Sequence, residues 1–396
     1  MSGQKTVKTK DRYTFGRVDF FLIATVILLL AFGLIMLYSA SSYNAQIKFG
    51  SASWYVKKQL VACVIGLAAM VVFMAIPYTF WKRIIYPFYF IAIISIFLVK
   101  TSLGVEAYGA ARWIEIGFGS RAISIQPSEI TKIAVILVTA LFISKFQHYL
   151  GNLKAYLLAL AFSGAGAVLV MLLTDDLGTG IIIFGMGLIM LFVAVPKKKY
   201  VVYTLVVLAA FAVVYVMIRP TKLVRVKAWL NVEAYASDES YQITQSLYAI
   251  GSGGFFGKGL GKSTQKMGFV PEGENDMIFS IICEELGIAG ALIYLVLIAI
   301  LLWRCVKIFK ETEEVCGKII VAGVASHIGL QTVINLMVVT SIIPNTGVPL
   351  PFISYGGTAI IMLLAELGLV LSVCRMAHRE KIPERRKTQT EVLRFE

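Results

Sequence analysis

Glu272, Glu274, Asp276 and Glu284 fall within about thirteen residues, and Glu285 follows directly. The intervening Met277-Ile278-Phe279-Ser280-Ile281-Ile282-Cys283 is apolar enough to begin a membrane helix. A carboxylate at the mouth of such a helix is expensive unless it is paired or used, so the string reads as a functional site. Carboxylates placed there offer proton transfer or cation binding, and the rest of the chain must decide between them.

Other stretches carry side chains of the same kind. In Gln126-Pro127-Ser128-Glu129-Ile130-Thr131-Lys132, the proline suits a helix first turn, with Ser128 and Glu129 at its positive dipole end. Glu129 and Lys132 are three apart and share a helix face. An ion pair closing a helix end would explain them. The apolar turns beyond set Lys132 below the interface, however, where it must meet a partner or a wet cavity, and this favours function. The run Gly251-Ser252-Gly253-Gly254-Phe255-Phe256-Gly257-Lys258-Gly259-Leu260-Gly261-Lys262-Ser263 has its glycines one residue too close for a nucleotide loop. It is either a tight turn or an amide nest that, with Lys258 and Lys262, cradles an outward-facing phosphate. Of Asp175 and Asp176, at least one is expected to cap the next helix, leaving the other for a cation or a sugar hydroxyl. Arg112-Trp113 suggests an amphipathic segment at the outer interface. His327, with Gln331 one turn later, reads as a helix–helix hydrogen-bonding element. Asn345-Thr346-Gly347-Val348-Pro349-Leu350-Pro351-Phe352-Ile353-Ser354-Tyr355-Gly356-Gly357 is irregular, which membrane depth tolerates only where backbone is buried in protein or lines a cavity. Glu366, further down that helix, needs an internal partner.

What must position these groups is a membrane bundle. The chain is 58% hydrophobic and 15% charged, with a mean hydropathy of +0.80; soluble domains sit near ~45–50% and ~25%. Ten apolar stretches are long enough to cross a hydrocarbon core: 18–39, 57–76, 80–99, 127–147, 154–174, 178–195, 199–218, 278–303, 318–340 and 355–375. The expected fold is thus an all-α polytopic membrane protein with about ten transmembrane helices. Lysine and arginine gather in alternate short loops, which places both termini in the cytoplasm. A basic tail (1–17), the transmembrane domain (18–375) and a second basic tail (376–396) follow, with one large extracytoplasmic loop, 219–277, before the eighth helix. No helical periodicity is evident in that loop. The net charge of +14 is membrane topology rather than a nucleic-acid footprint, since no basic domain interleaved with aromatics exists. Five scattered cysteines without a CxxC indicate neither a disulfide framework nor a zinc site.

The strings YQITQSLYAIGSGGFFGKGLGKSTQKMGFVPEGENDMIFSIICEELG, QPSEITK and NTGVPLPFISYGG resemble those of the SEDS family (shape, elongation, division and sporulation). The likeness covers almost the whole chain and is nearer to the FtsW-like and SpoVE-like branch than to the RodA-like one. It implies a bacterial cytoplasmic-membrane enzyme with its active face outside, which polymerises peptidoglycan strands from lipid II. In that reaction a sugar 4-hydroxyl attacks the anomeric carbon of a second lipid-linked disaccharide, with inversion, and undecaprenyl pyrophosphate leaves. By motif, Asp276 is the implied base, and Glu129 and Lys132 line the same cavity; Lys132 would meet the departing pyrophosphate, and Glu129 would orient it or tune Asp276. The motifs further imply substrate contacts from Arg112, Trp113, Gln126, Ser128, Asp176, Gln242, Gln245, Ser246, Lys258, Lys262, Pro271, Glu272, Glu285, Asn345, Pro351, Ser354 and Tyr355. No organic cofactor is implied. A divalent cation, Mg or Mn, is a further source of positive charge, with Asp276 and Glu274 its candidate ligands. Many family members carry histidine where this chain has Glu274, whose charge should raise the pKa of Asp276 or favour a cation. The implied partner is a class B penicillin-binding protein, a crosslinking transpeptidase. Two other readings stay open: a carrier of the lipid-linked precursor, against which the absence of related halves counts, and a scaffold of the division or sporulation machinery.

Overall fold

The computed structural model describes residues 16–107, 110–116, 123–231 and 240–378. The two basic tails expected at 1–17 and 376–396 fall almost wholly outside them. Twelve α-helices are described: α1 (Phe20–Phe49), α2 (Trp54–Ala75), α3 (Tyr78–Phe97), α4 (Pro127–Phe146), α5 (Leu153–Leu173), α6 (Leu177–Ala194), α7 (Lys199–Ile218), α8 (Pro220–Leu230), α9 (Tyr241–Gly253), α10 (Ile278–Glu311), α11 (Val315–Val339) and α12 (Gly357–Ala377). Among the described residues nine are long and apolar enough to cross a membrane. The tenth expected span, α4, is not among them; it carries Glu129, Lys132 and Lys145. The chain is a multi-pass, predominantly helical membrane protein.

α4 shows how the bundle is built. Fifteen of its residues between Pro127 and Ile143 are buried, with no polar face left to water. A helix buried all round belongs in the centre of a bundle. Packed around it are α3, α5, α6, α11 and α12, while α2 lies along α12 and α1 along α10. Lipid is as apolar as leucine, so these neighbours are selected by close packing and by polar links rather than by hydrophobic transfer. α7 buries only Val201 and Tyr215 and is peripheral.

Two features of the loops differ from expectation. The loop at 100–126 holds a three-stranded antiparallel sheet, β1 (Gly104–Ala107), β2 (Ala110–Ile116) and β3 (Ile123–Ile125), in the order β1-β2-β3. The segment expected at Arg112 and Trp113 is therefore strand β2, with Trp113 opposite Val105. The β-branched alternation in Ala-Arg-Trp-Ile-Glu-Ile is what a half-buried strand requires. The stretch at 219–277 contains two helices instead of none. Pro220 opens α8 at its first turn, and the indole of Trp229 donates to Ser341 O at 2.8 Å. The Ser240 hydroxyl ties the start of α9 to Ala228 O at 2.8 Å.

These loops gather at one end of the bundle. The opposite end is pinned separately: Asp19 caps α1 by accepting from Leu22 N at 2.9 Å and also accepts from Arg304 Nε of α10 at 2.9 Å.

Candidate active site

Asp276 lies at the end of a run of turns, two residues before α10 begins, and is 5% exposed. Backbone contacts hold it there. Asn335, fully buried on α11, donates from one amide nitrogen to Asp276 O at 2.7 Å and to Val348 O at 2.8 Å. The Ser354 hydroxyl donates to Asn275 O at 2.5 Å, and Tyr355 N donates to Glu274 O at 3.0 Å. The 345–356 segment is thus stitched to 274–276 along its length. Gln59 of α2 fixes its far end, donating to Ser354 O at 3.3 Å and accepting from Gly356 N at 3.2 Å.

Among the described residues the carboxylate of Asp276 meets few groups. Gln242 of α9 reaches Oδ1 at 3.5 Å while donating to Pro271 O at 3.2 Å. Asn345 donates to Gln242 Oε1 at 2.8 Å and accepts from Gly347 N at 2.9 Å, which fixes the orientation of the glutamine. Gly347 has φ 68°, and a β-carbon there would lie 4.0 Å from Asp276 Oδ2, so the acid faces backbone rather than a side chain at this point. Burial, with the charge of Glu272, pushes the Asp276 carboxyl up to about 7, against the pull of Arg225 and Arg112. The ordinary value is about 3.9. Burial likewise raises Glu272, as does the charge of Glu274, while its bond from Asn275 and the same two arginines oppose the rise.

The carboxylate charge that raises Asp276 most is Glu272, where the sequence pointed to Glu274. Glu274 is buried and its carboxylate accepts from Asn44 Nδ2 of α1 at 3.1 Å. Among the described residues no group of three His, Cys, Asp or Glu could hold a metal ion.

Glu129 and Lys132 form a second cluster, in the interior of the bundle. Lys132 Nζ lies 2.8 Å from Glu129 Oε1 and 2.9 Å from His327 Nε2. His327 continues to Glu366 and Gln331, and Gln331 donates to Pro349 O at 2.9 Å. Glu129, His327, Gln331, Pro351, Ser354 and Tyr355 line one cavity, roofed by the 345–356 segment. That segment touches both the Asp276 cluster and the Lys132 cluster, through Ser354 on one side and Pro349 on the other. Ser128 is buried beside Glu129 in the first turn of α4, and Gln126 stands at its cap, accepting from Glu129 N at 3.1 Å.

Several expected substrate groups are committed elsewhere. Lys258 does not line a phosphate nest: its ammonium lies 2.6 Å from Glu284 Oε1. The amides of Thr264 and Gln265 point at that same carboxylate, at 3.2 and 3.3 Å, so the anion in the nest is internal. Glu285 is fully buried and bound by Lys266 Nζ at 2.8 Å, Ser39 Oγ at 2.5 Å and Ser263 N at 3.3 Å. This is possible because the glycine-rich loop docks where α10 breaks. Gly257 (φ 76°) and Gly287 (φ 67°) face each other, and a β-carbon on either would collide with the other's backbone. Asp176 caps α6, accepting from Thr179 N and Oγ1, each at 2.9 Å, as one of the two acids was expected to do. Ser246 is buried and donates to Val339 O at 3.3 Å, a helix-packing contact. Pro271 and Pro351 contribute carbonyls, the latter to Tyr294. Gln245 is half-buried and Lys262 exposed.

Sequence reasoning missed Arg225, Asn44 and Asn335. Asn335 was findable: an asparagine in an otherwise apolar helix needs a partner. Nothing in the local pattern distinguished Arg225 from the basic residues around it.

Comparison with known proteins identifies the family. Residues 19–379 match the model of the FtsW/RodA/SpoVE cell cycle proteins. The stage V sporulation protein E of Bacillus subtilis strain 168 is 36% identical over 364 residues, covering 90% of this chain and 97% of that protein. A probable peptidoglycan glycosyltransferase FtsW from Trichlorobacter lovleyi is 34% identical over 368 residues, covering 91% and 94%. Among solved structures, a chain of a peptidoglycan synthase complex that coordinates polymerization and crosslinking superposes with a TM-score of 0.76 at 25% identity, covering 90% of this chain and 98% of that one. The rod shape determining protein RodA of Thermus thermophilus superposes with a TM-score of 0.66 at 25% identity, covering 92% and 98%. The chain belongs to the FtsW/RodA/SpoVE family of cell cycle proteins.

Proposed function

We propose that this chain is a peptidoglycan glycosyltransferase that joins lipid II units into glycan strands. The observation that carries the reading is Asp276: a buried carboxyl raised to about 7, next to few donors, at the mouth of a membrane helix. A base with a pKa near the working pH is the efficient one. Asp276 takes the proton of the acceptor sugar's 4-hydroxyl as that oxygen bonds to the anomeric carbon of the donor. The bond from that carbon to the pyrophosphate oxygen breaks, the configuration inverts, and undecaprenyl pyrophosphate departs. One base suffices, because a single displacement needs no second carboxylate. Arg112 and Arg225, whose charges already bear on Asp276 and Glu272, favour the developing phosphate charge, and Lys132, whose cluster adjoins the same 345–356 segment, meets the departing pyrophosphate. Gln242 and Asn345 hold the acid's surroundings in place.

A divalent cation, if bound, would be held by one or two carboxylates, as Mg usually is. Asp276 with Glu272 or Glu274 would hold it, each glutamate already accepting one asparagine amide, from Asn275 and from Asn44. Bound there, it would supply charge to the leaving group.

The reading places the protein in the bacterial cytoplasmic membrane with the Asp276 end outside, where lipid II is presented. A class B penicillin-binding protein is its partner. The synthase-complex chain it resembles supports that pairing, and relatives named as glycosyltransferases favour polymer formation over carriage of the precursor. The test is strand formation from lipid II by the purified chain with its transpeptidase partner. Asp276→Asn should abolish strands while partner binding persists. If labelled lipid crosses vesicles equally well with Asp276→Asn and no strands form with the parent, the chain is a carrier.

A further inference from the structure

Three helices bring Lys132, His327 and Glu366 together inside the bundle, where Lys132 and His327 are each 2% exposed and Glu366 is fully buried. Glu366 Oε2 lies 2.6 Å from His327 Nδ1, and the other ring nitrogen, Nε2, lies 2.9 Å from Lys132 Nζ. A carboxylate on one imidazole nitrogen fixes the ring's plane and tautomer and leaves the second nitrogen for the group beyond it. Lysine has three hydrogens to donate. One goes to Glu129 at 2.8 Å and one to His327, which leaves the third for a phosphate oxygen. Gln331 Oε1 also lies 2.8 Å from that nitrogen, but the ring's one free lone pair goes to Lys132, so the bond that Gln331 makes is the one it donates to Pro349 O in the cavity wall.

Stability does not account for this set. A well-packed apolar group of the same volume is often at least as stable as a buried ionic one. Here Glu366 Oε1 is buried without a hydrogen-bond partner among the described residues. Intramembrane ionisable residues that are retained despite such a cost are by default functional. Glu129 and His327 both line the cavity under the 345–356 segment.

We infer that His327, clamped by Glu366, is a positioning residue for Lys132, holding its ammonium in register with Glu129 at that cavity; this rests on the reading above that Lys132 meets the pyrophosphate.

The test measures kcat and KM separately for lipid II polymerisation by the full chain with its transpeptidase partner. His327→Leu should lower kcat by about 10- to 100-fold, the scale for an orienting neighbour, with KM within about twofold. The His327→Leu/Glu366→Leu pair, which strands no charge, should melt with the parent yet keep the deficit. His327→Gln, whose amide oxygen still accepts from Lys132, should recover part of it. On a Lys132→Met background, His327→Leu should cost nothing further. The inference is overturned if the Leu/Leu pair turns over like the parent, or if the full His327→Leu loss recurs on Lys132→Met. A Lys132→Met chain at full rate would sink both this inference and the role given to Lys132, while Asp276→Asn reports separately on the polymerase.

Discussion

Asp276 and the Glu284–Glu285 pair belong to one acidic string, yet their surroundings are opposite. Glu284 receives Lys258, the Ser263 and Thr264 hydroxyls and two backbone amides. Glu285 receives Lys266, Ser39 and the amide of Ser263. Asp276, eight residues earlier, is reached by Gln242 at 3.5 Å. A carboxylate with its lone pairs filled holds structure together; one left with lone pairs to offer can take a proton. Burial is similar in both places, and what separates fastening from chemistry is the supply of donors.

The sharpest way to break this contrast is to neutralise each side. Asp276→Asn should lower polymerisation by roughly 10²–10⁴-fold, the contribution of a general base, with the melting temperature in detergent unchanged. Lys266→Met should do the reverse. It leaves Glu285 buried without its cation and should cost about 3–5 kcal/mol of stability, read as a lower melting temperature, whereas Lys266→Leu with Glu285→Leu should recover most of it.

The pH dependence sharpens the comparison. The base must be ionised to act, so strand formation should fall about tenfold per pH unit below about 7. Glu272→Gln removes a charge that raises Asp276 and should move that limb to lower pH; profiles of the two proteins that coincide would refute the coupling. The sign for folding is opposite. A carboxyl raised above its unfolded value of about 3.9 contributes stability fully below that pH and loses it as pH climbs through about 7.

Smaller effects should come from the supports. Asn345→Ala frees Gln242 and forfeits one hydrogen bond, worth about 0.5–1.5 kcal/mol, which is up to about tenfold in kcat. Lys258→Ala should matter least, about 1 kcal/mol or less in stability, because its ammonium end is a third exposed.

The parts legible in the sequence were those governed by local rules. Apolar length marked the spans, and the spacing of Glu129 and Lys132 gave their shared face. Asp176 announced itself as a cap. The residues misjudged were those whose partners lie far along the chain. Nothing near Glu285 reveals that Ser39, 246 positions away, will bond to it. Lys258 and Lys262 looked alike in their glycine-rich run, yet one meets Glu284 and the other is exposed. Composition could suggest that the loop cradles an anion, but not that the anion would be the protein's own.

The meeting of Gly257 and Gly287 has a consequence for how the chain tolerates change. Both positions guard a single gap, and filling it from either side spoils it entirely. Alanine at one should therefore be nearly as damaging as alanine at both, and a lineage that lost the first glycine would have little reason to keep the second.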